Sequence, residues 1–184
     1  MPLLLLLSAC TLSFPVSVET APTVIEGNLL CPDPSLAELL PSVLEAPVVD
    51  VTRAVLQGAF DLLGPEIEDQ VDAQANGPAK EAYLTALTLT QSPVPASPQP
   101  TDSLGFLAGL EVEVVGASGL PRRTVAWAED IPEDAVTIAL IVDDTLNLQP
   151  YLEQGAEVSA SPLLRTCPRE DVQLSTSARV RVGL

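Results

Sequence analysis

The chain has 184 residues, 47% of them hydrophobic, and a formal net charge of −17 with no histidine. That length suits one domain with a real core, and the hydrophobic content argues against wholesale disorder despite 18 prolines. One lysine and seven arginines provide no basic footprint for nucleic acid, and an acidic body is repelled by anionic headgroups, so its charge reads first as solubility.

The chain begins Met1-Pro2-Leu3-Leu4-Leu5-Leu6-Leu7 and continues into the small residues Ser8 and Ala9. An uncharged apolar run that ends at small residues is the pattern of an export signal. Seven residues of helix reach only about 10 Å against roughly 30 Å of hydrocarbon, so the run is no transmembrane span. Leu7-Ser8-Ala9-Cys10 resembles the lipobox of bacterial lipoproteins. That resemblance implies cleavage after residue 9, lipidation of Cys10, and a mature body of residues 10–184. Several acyl chains on one cysteine hold a protein durably where one chain does not. Thr11, in place of an aspartate, favours the outer membrane by analogy with the same family, the periplasmic face before the cell surface. A soluble, merely leucine-rich tail is the alternative.

Residues 11–27 alternate around Val16 and Val18, are interrupted by Ala21-Pro22, and predict one or two strands. A helical segment is expected over about 34–76. Ser35-Leu36-Ala37-Glu38 has capping-box spacing, Leu36, Leu39, Leu40 and Val43 share a face, and Pro41 limits or kinks that helix. Val48 to Gln57 fits either helix or strand and is assigned to helix. Gly64-Pro65 predicts a fresh helix start, with Glu66, Glu68 and Asp69 in its first turn, Ile67 and Val71 inward, and Asn76-Gly77-Pro78 as its stop.

From Tyr83 the period becomes two, with Leu87 and Leu89 against Thr88 and Thr90. Residues 91–103, with Pro93, Pro95, Pro98 and Pro100, predict a stiff exposed loop rather than a linker between domains. A helical turn is expected over Ser103–Ala108, ending at Gly109. Leu110, Val112 and Val114 then point inward and Glu111 and Glu113 outward. Gly116-Ala117-Ser118-Gly119 predicts a hairpin loop with Arg122 to Trp127 returning antiparallel. Val136, Ile138, Leu140 and Val142 form the next strand, and Ile141 implies partial cover on its second face. Asn147 to Glu153 predicts a turn of helix ending at Gly155, and Ala156 to Ala160 a short strand. In the last strand Val172, Leu174, Thr176, Ala178, Val180 and Val182 share one face.

These elements predict a mainly β fold: an antiparallel, immunoglobulin-like β-sandwich of about eight strands with a helical insertion near the N-terminus. Trp127 is expected to fill the core centre, an exposed binding anchor being the alternative. The run from Phe106 through Gly119-Leu120-Pro121 to the final strand is similar to small β-sandwich lipoproteins of Gram-negative bacteria. It implies no activity.

Once Cys10 is assigned to lipid, Cys31 and Cys167 remain as an even pair in an oxidising compartment. A bond between them closes a loop of about 136 residues, which the chain-entropy account values at up to roughly 5 kcal/mol. Two free buried thiols are the alternative. Without histidine there is no Ser-His-Asp or Cys-His catalysis, and two cysteines alone make a poor zinc site. Gly116 to Gly119 is a hairpin loop rather than a nucleophile elbow, and Lys80, beside Glu81, reads as a solvated helix end rather than a catalytic base. The pairs Glu129-Asp130, Glu133-Asp134 and Asp143-Asp144 read as solvated turns, with calcium or a carboxylate pair for hydrolysis as the alternatives. The sequence therefore predicts a lipid-anchored envelope protein, structural or protein-binding, with no catalytic, metal or cofactor site. The expected partners are the membrane, through the N-terminal lipid anchor, and other envelope proteins, with no nucleic acid among them. A small-ligand module for carbohydrate or calcium is the runner-up, and a carboxylate-based hydrolase stands behind it.

Overall fold

The computed structural model describes residues 12–25, 46–74, 77–94, 103–116, 119–155, 157–166 and 171–184. The capping box at Ser35, Pro95 to Pro100 in the proline-rich loop, and Cys10, Cys31 and Cys167 lie outside them. Among the described residues eight strands and two helices follow one another as β1 (Ser13–Glu19), β2 (Thr23–Ile25), α1 (Ala46–Gln74), β3 (Glu81–Ser92), β4 (Leu107–Val115), β5 (Arg123–Ala128), β6 (Thr137–Val142), α2 (Gln149–Glu153), β7 (Glu157–Leu164) and β8 (Val172–Gly183). The fold is mainly β, with the expected helical insertion after β2. The strands form one antiparallel sheet in the order β1-β8-β3-β6-β5-β4-β7, and β2 extends the β1 side by pairing with β8. Only Ala126↔Val142 and Trp127↔Ile141 join β5 to β6. At this narrow junction the sheet divides into two halves around one core, which gives a sandwich-like architecture.

Strict alternation builds most of that core. On β8 the side chains of Val172, Leu174, Thr176, Ala178, Val180 and Val182 are all buried, and on β4 those of Leu110, Val112 and Val114. Each large apolar side chain so placed contributes roughly 1.5–3 kcal/mol before its entropy is charged. Two bulges shift the phase. On β3 the register slips between Leu84 and Ala86, so Ala82 and Leu84 face inward before the slip and Leu87 and Leu89 after it. On β5 the slip leaves Val125 without a partner on β4, and Val125 and Ala126 are both buried.

The helix α1 closes the structure. Thr52, Val55, Leu56, Ala59, Phe60, Leu63, Ile67 and Val71 recur at helical spacing and are buried along one stripe. This stripe packs against β7 at one end of the strand order and against β1 and β8 at the other. A single turn touches both ends. Gln57 Oε1 accepts the Val158 N–H of β7 at 2.6 Å, while a Cβ built on Gly58 would lie 3.6 Å from Thr20 Cγ2, just beyond β1. Each end strand also carries a proline, Pro15 in β1 and Pro162 in β7, where a missing N–H is tolerated and further strand addition is discouraged.

Several expectations need correction. Gly64-Pro65 does not start a helix, because α1 runs through it. Pro65 is on the exposed side, where the Asp61 carbonyl that loses its backbone partner can turn to water. The predicted turn before Gly109 yields to β4 at Leu107, which leaves Gly109 inside the strand. Val136 precedes β6 and is exposed, and Ile141 is 57% exposed, so nothing among the described residues covers the second face of that strand. β7 runs on to Leu164, beyond the expected Ala160. Lys80 leads into a strand rather than ending a helix, its N–H donating to Gly183 O at 3.0 Å.

Two local fastenings hold the loops that border the sheet. Asn147 joins β3 to α2: its Oδ1 accepts the Ala82 and Gln149 N–H groups, both at 3.0 Å, and its Nδ2 donates to Lys80 O at 3.2 Å. Arg165 donates to Gly105 O at 2.7 Å and to Ile131 O at 2.6 Å. There the loop backbones meet so closely that a Cβ on Gly105 would come within 1.9 Å of Glu133 O. One defect stands out in the core. The Thr176 side chain is fully buried and its Oγ1 has no hydrogen-bond partner among the described residues, although the backbone N–H of the same residue reaches Thr20 Oγ1 at 2.8 Å. A buried unpaired hydroxyl costs about 1–3 kcal/mol, so Thr176→Val is expected to stabilise the fold by about 1 kcal/mol in denaturant titration. A loss of stability would show that the hydroxyl is satisfied.

Candidate functional site

Trp127 is not in the core. The β5 bulge decides this: plain alternation from Val125 would carry Trp127 inward, whereas the extra residue places Ala126 and Ala128 on the core side and turns the indole out. Trp127 is half-exposed on the outer face of the sheet. Across that face it stands in a row with Ile141 of β6, Glu111 of β4 and Ser161 of β7. One step along, Gly109 pairs with Leu163, which is 65% exposed.

The missing side chain at Gly109 opens a dip between Trp127 and Leu163. The result is a shallow groove of about 460 Å³ lined by Gly109, Leu110, Glu111, Thr124, Trp127, Ala128, Glu129, Ser161 and Leu163. A Cβ on Gly109 would lie 3.1 Å from Ala128 O and 3.6 Å from Leu163 Cβ, so any larger residue would crowd the floor. Glu111 accepts the Thr124 hydroxyl at 2.8 Å. One row further, Glu113 is held at 3.1 Å by Arg122. The groove thus combines an indole, an exposed leucine and two carboxylates, with no lysine or arginine among the described residues that line it.

A larger cleft, about 630 Å³, opens between the second half of α1, the 77–79 connection and α2, with Ile67, Val71 and Leu152 as apolar wall and Glu68, Asp72 and Glu153 at its sides. Its carboxylates do not gather: among the described residues no three Asp, Glu, Cys or His side chains come together as a metal site would need. The acidic pairs singled out in the sequence are on separate turns. Glu129, Asp130, Glu133, Asp134 and Asp144 are exposed. Asp143 is committed locally, accepting the Thr145 hydroxyl at 2.6 Å and the Thr145 N–H at 3.0 Å. These bonds favour the ionised carboxylate and hold its pKa below the ordinary value. Stability from this turn is therefore present above the unfolded-state pKa and lost as pH falls through the lower folded value.

The sequence drew attention to Trp127 but placed it on the wrong side. The pair Val125-Ala126 followed by Ala128 was the available signal, since two small residues flanking the tryptophan suit an inner face better than the indole does. Gly109 and Leu163 carried no signal of their own, because a groove of this kind depends on register between strands far apart in the chain. No protein family matches the chain, and no curated protein does either.

The outward position of Trp127 has a direct spectroscopic consequence. As the lone tryptophan, it is expected to show emission that acrylamide quenches readily in the native state, and Trp127→Ala should cost well under the roughly 3–5 kcal/mol of a core tryptophan. Emission shielded from acrylamide until unfolding would return the indole to the core.

Proposed function

We propose that this protein is a lipid-anchored component of a bacterial cell envelope, held through Cys10 on the periplasmic face of the outer membrane, and that its body acts without catalysis by binding another protein. The anchor is supported by Leu7-Ser8-Ala9-Cys10 after the apolar leader. The binding role is carried by one observation: a shallow groove lined by Trp127 and Leu163, with the exposed Ile141 beside Trp127, on the outer face of β6-β5-β4-β7. An aromatic residue at the middle of an exposed strand face is the pattern of an interface anchor. The groove is shallow and open, which suits a protein surface better than the enclosing pocket of a small ligand.

A Cys31–Cys167 disulfide belongs to the same reading. Ile25 at the end of β2 pairs with Val172 at the start of β8. The chain leading to Cys31 and the chain arriving from Cys167 therefore share a starting point at one end of the sheet, which favours their meeting.

Cys10→Ser in the full chain, expressed in a Gram-negative host, is expected to move the protein from the membrane to the soluble fraction, and unchanged fractionation would refute the anchor. Thiol titration of the denatured, unreduced mature protein should find no free sulfhydryl, while two would remove the disulfide. The binding face has its own test. A photo-crosslinking residue at position 163 should form one defined protein adduct in the native envelope, and Trp127→Ala should abolish it. No adduct, or one indifferent to Trp127, sinks the protein-binding role.

A further inference from the structure

We propose that the groove beside Trp127 receives an arginine side chain of the partner protein, its guanidinium lying on the indole face between Glu111 and Glu129. The inference rests on the reading of this face as a protein-binding surface, and supplies the chemistry of the contact.

An indole attracts a cation more strongly than any other aromatic face, and that of Trp127 is half-exposed along the groove. Glu111 stands opposite it on β4, and Glu129 follows two residues later along the chain. Neither carboxylate makes an ion pair with a described residue, in contrast to Glu113 with its Arg122 partner. Their charge thus meets no cation among the described residues, in a dip bordered by Thr124, Ser161 and the apolar Leu163. A neutral apolar partner would strip water from both carboxylates and give nothing in return.

A guanidinium meets every requirement of the site. Its flat face stacks on the indole, its edge N–H groups fork toward the carboxylates, and its methylene stem lies along Leu163. A lysine ammonium would supply charge but neither the stacking surface nor the fork. The protein already makes this kind of contact within itself, with the Arg181 guanidinium 5.3 Å from the centre of the Tyr83 ring. The net charge of −17 adds long-range attraction for a basic partner. The partner docks on the face and not at the edge, since Gln57 occupies the Val158 N–H and Pro162 has none to offer.

Because Trp127 is the single tryptophan, its emission reports occupancy of the groove directly. The mature protein, titrated at fixed ionic strength with a blocked Gly-Arg-Gly peptide, is expected to show a saturable change in emission. Its midpoint should lie at least about tenfold below that of the same peptide carrying citrulline, which keeps the shape and loses the charge. The double exchange Glu111→Gln and Glu129→Gln, at two exposed positions, should raise the arginine midpoint by about tenfold or more with the melting temperature unchanged. Equal midpoints for the two peptides, or a double variant that binds as the parent does, overturns the arginine contact. The cross-link from position 163 separates the two readings: an adduct undiminished in the double variant overturns the arginine alone, whereas its absence from the parent protein removes the docking face as well.

Discussion

The structure depends on the turn of α1 at Gln57 and Gly58. A strongly curved antiparallel sheet that does not close on itself leaves an opening between its first and last strands, with unpaired backbone on one side and core side chains behind it. Here the helix occupies that opening. Gln57 supplies the acceptor that the Val158 N–H would otherwise take from a further strand, and Gly58 stands beside Thr20 on the opposite side. The apolar stripe from Thr52 to Val71 then completes a core that the strands alone would leave open.

Closing the sheet with a helix has a consequence for its outer surface. Because α1 lies between the sheet ends, no helix among the described residues lies over the outer face of β6-β5-β4-β7. The β5 bulge matters here because it exchanges an indole for two alanines: Ala126 and Ala128 face the core, and Trp127 is delivered to the solvent side. A single inserted residue thereby converts what alternation would make a packing position into a half-buried aromatic on the outer face, flanked by carboxylates.

Much of the fold was legible in the sequence, and the limits are physical. The β8 and β4 alternations were plain because each strand presents one face to the core without interruption. The loop at Gly116 and Gly119 and the turn at Gly155 were visible as well. Gly119 has φ +97° and Gly155 φ +71°, a region where most side chains are strained. Bulges were not legible, since they arise from pairing between distant segments, and the one on β5 put Trp127 on the face opposite to the expected one. Pro65 misled for another reason: a proline on the solvent side of a well-packed helix costs less than the packing of Leu63 and Ile67 returns. The candidate groove was half-visible, in Trp127 and Glu111, while Gly109 and Leu163 join it only through the β4–β7 register.

The position of β8 carries a further implication. The last strand of the chain lies between β1 and β3, and its twelve residues hold together segments that begin at Ser13 and Glu81. Until those residues have left the ribosome, the sheet has a vacancy in its interior and cannot form cooperatively. Pairing of such sequence separation also folds slowly. Segments that begin at Ser13 and Glu81 therefore come together only through β8, which makes the closing of the sheet a late event in folding.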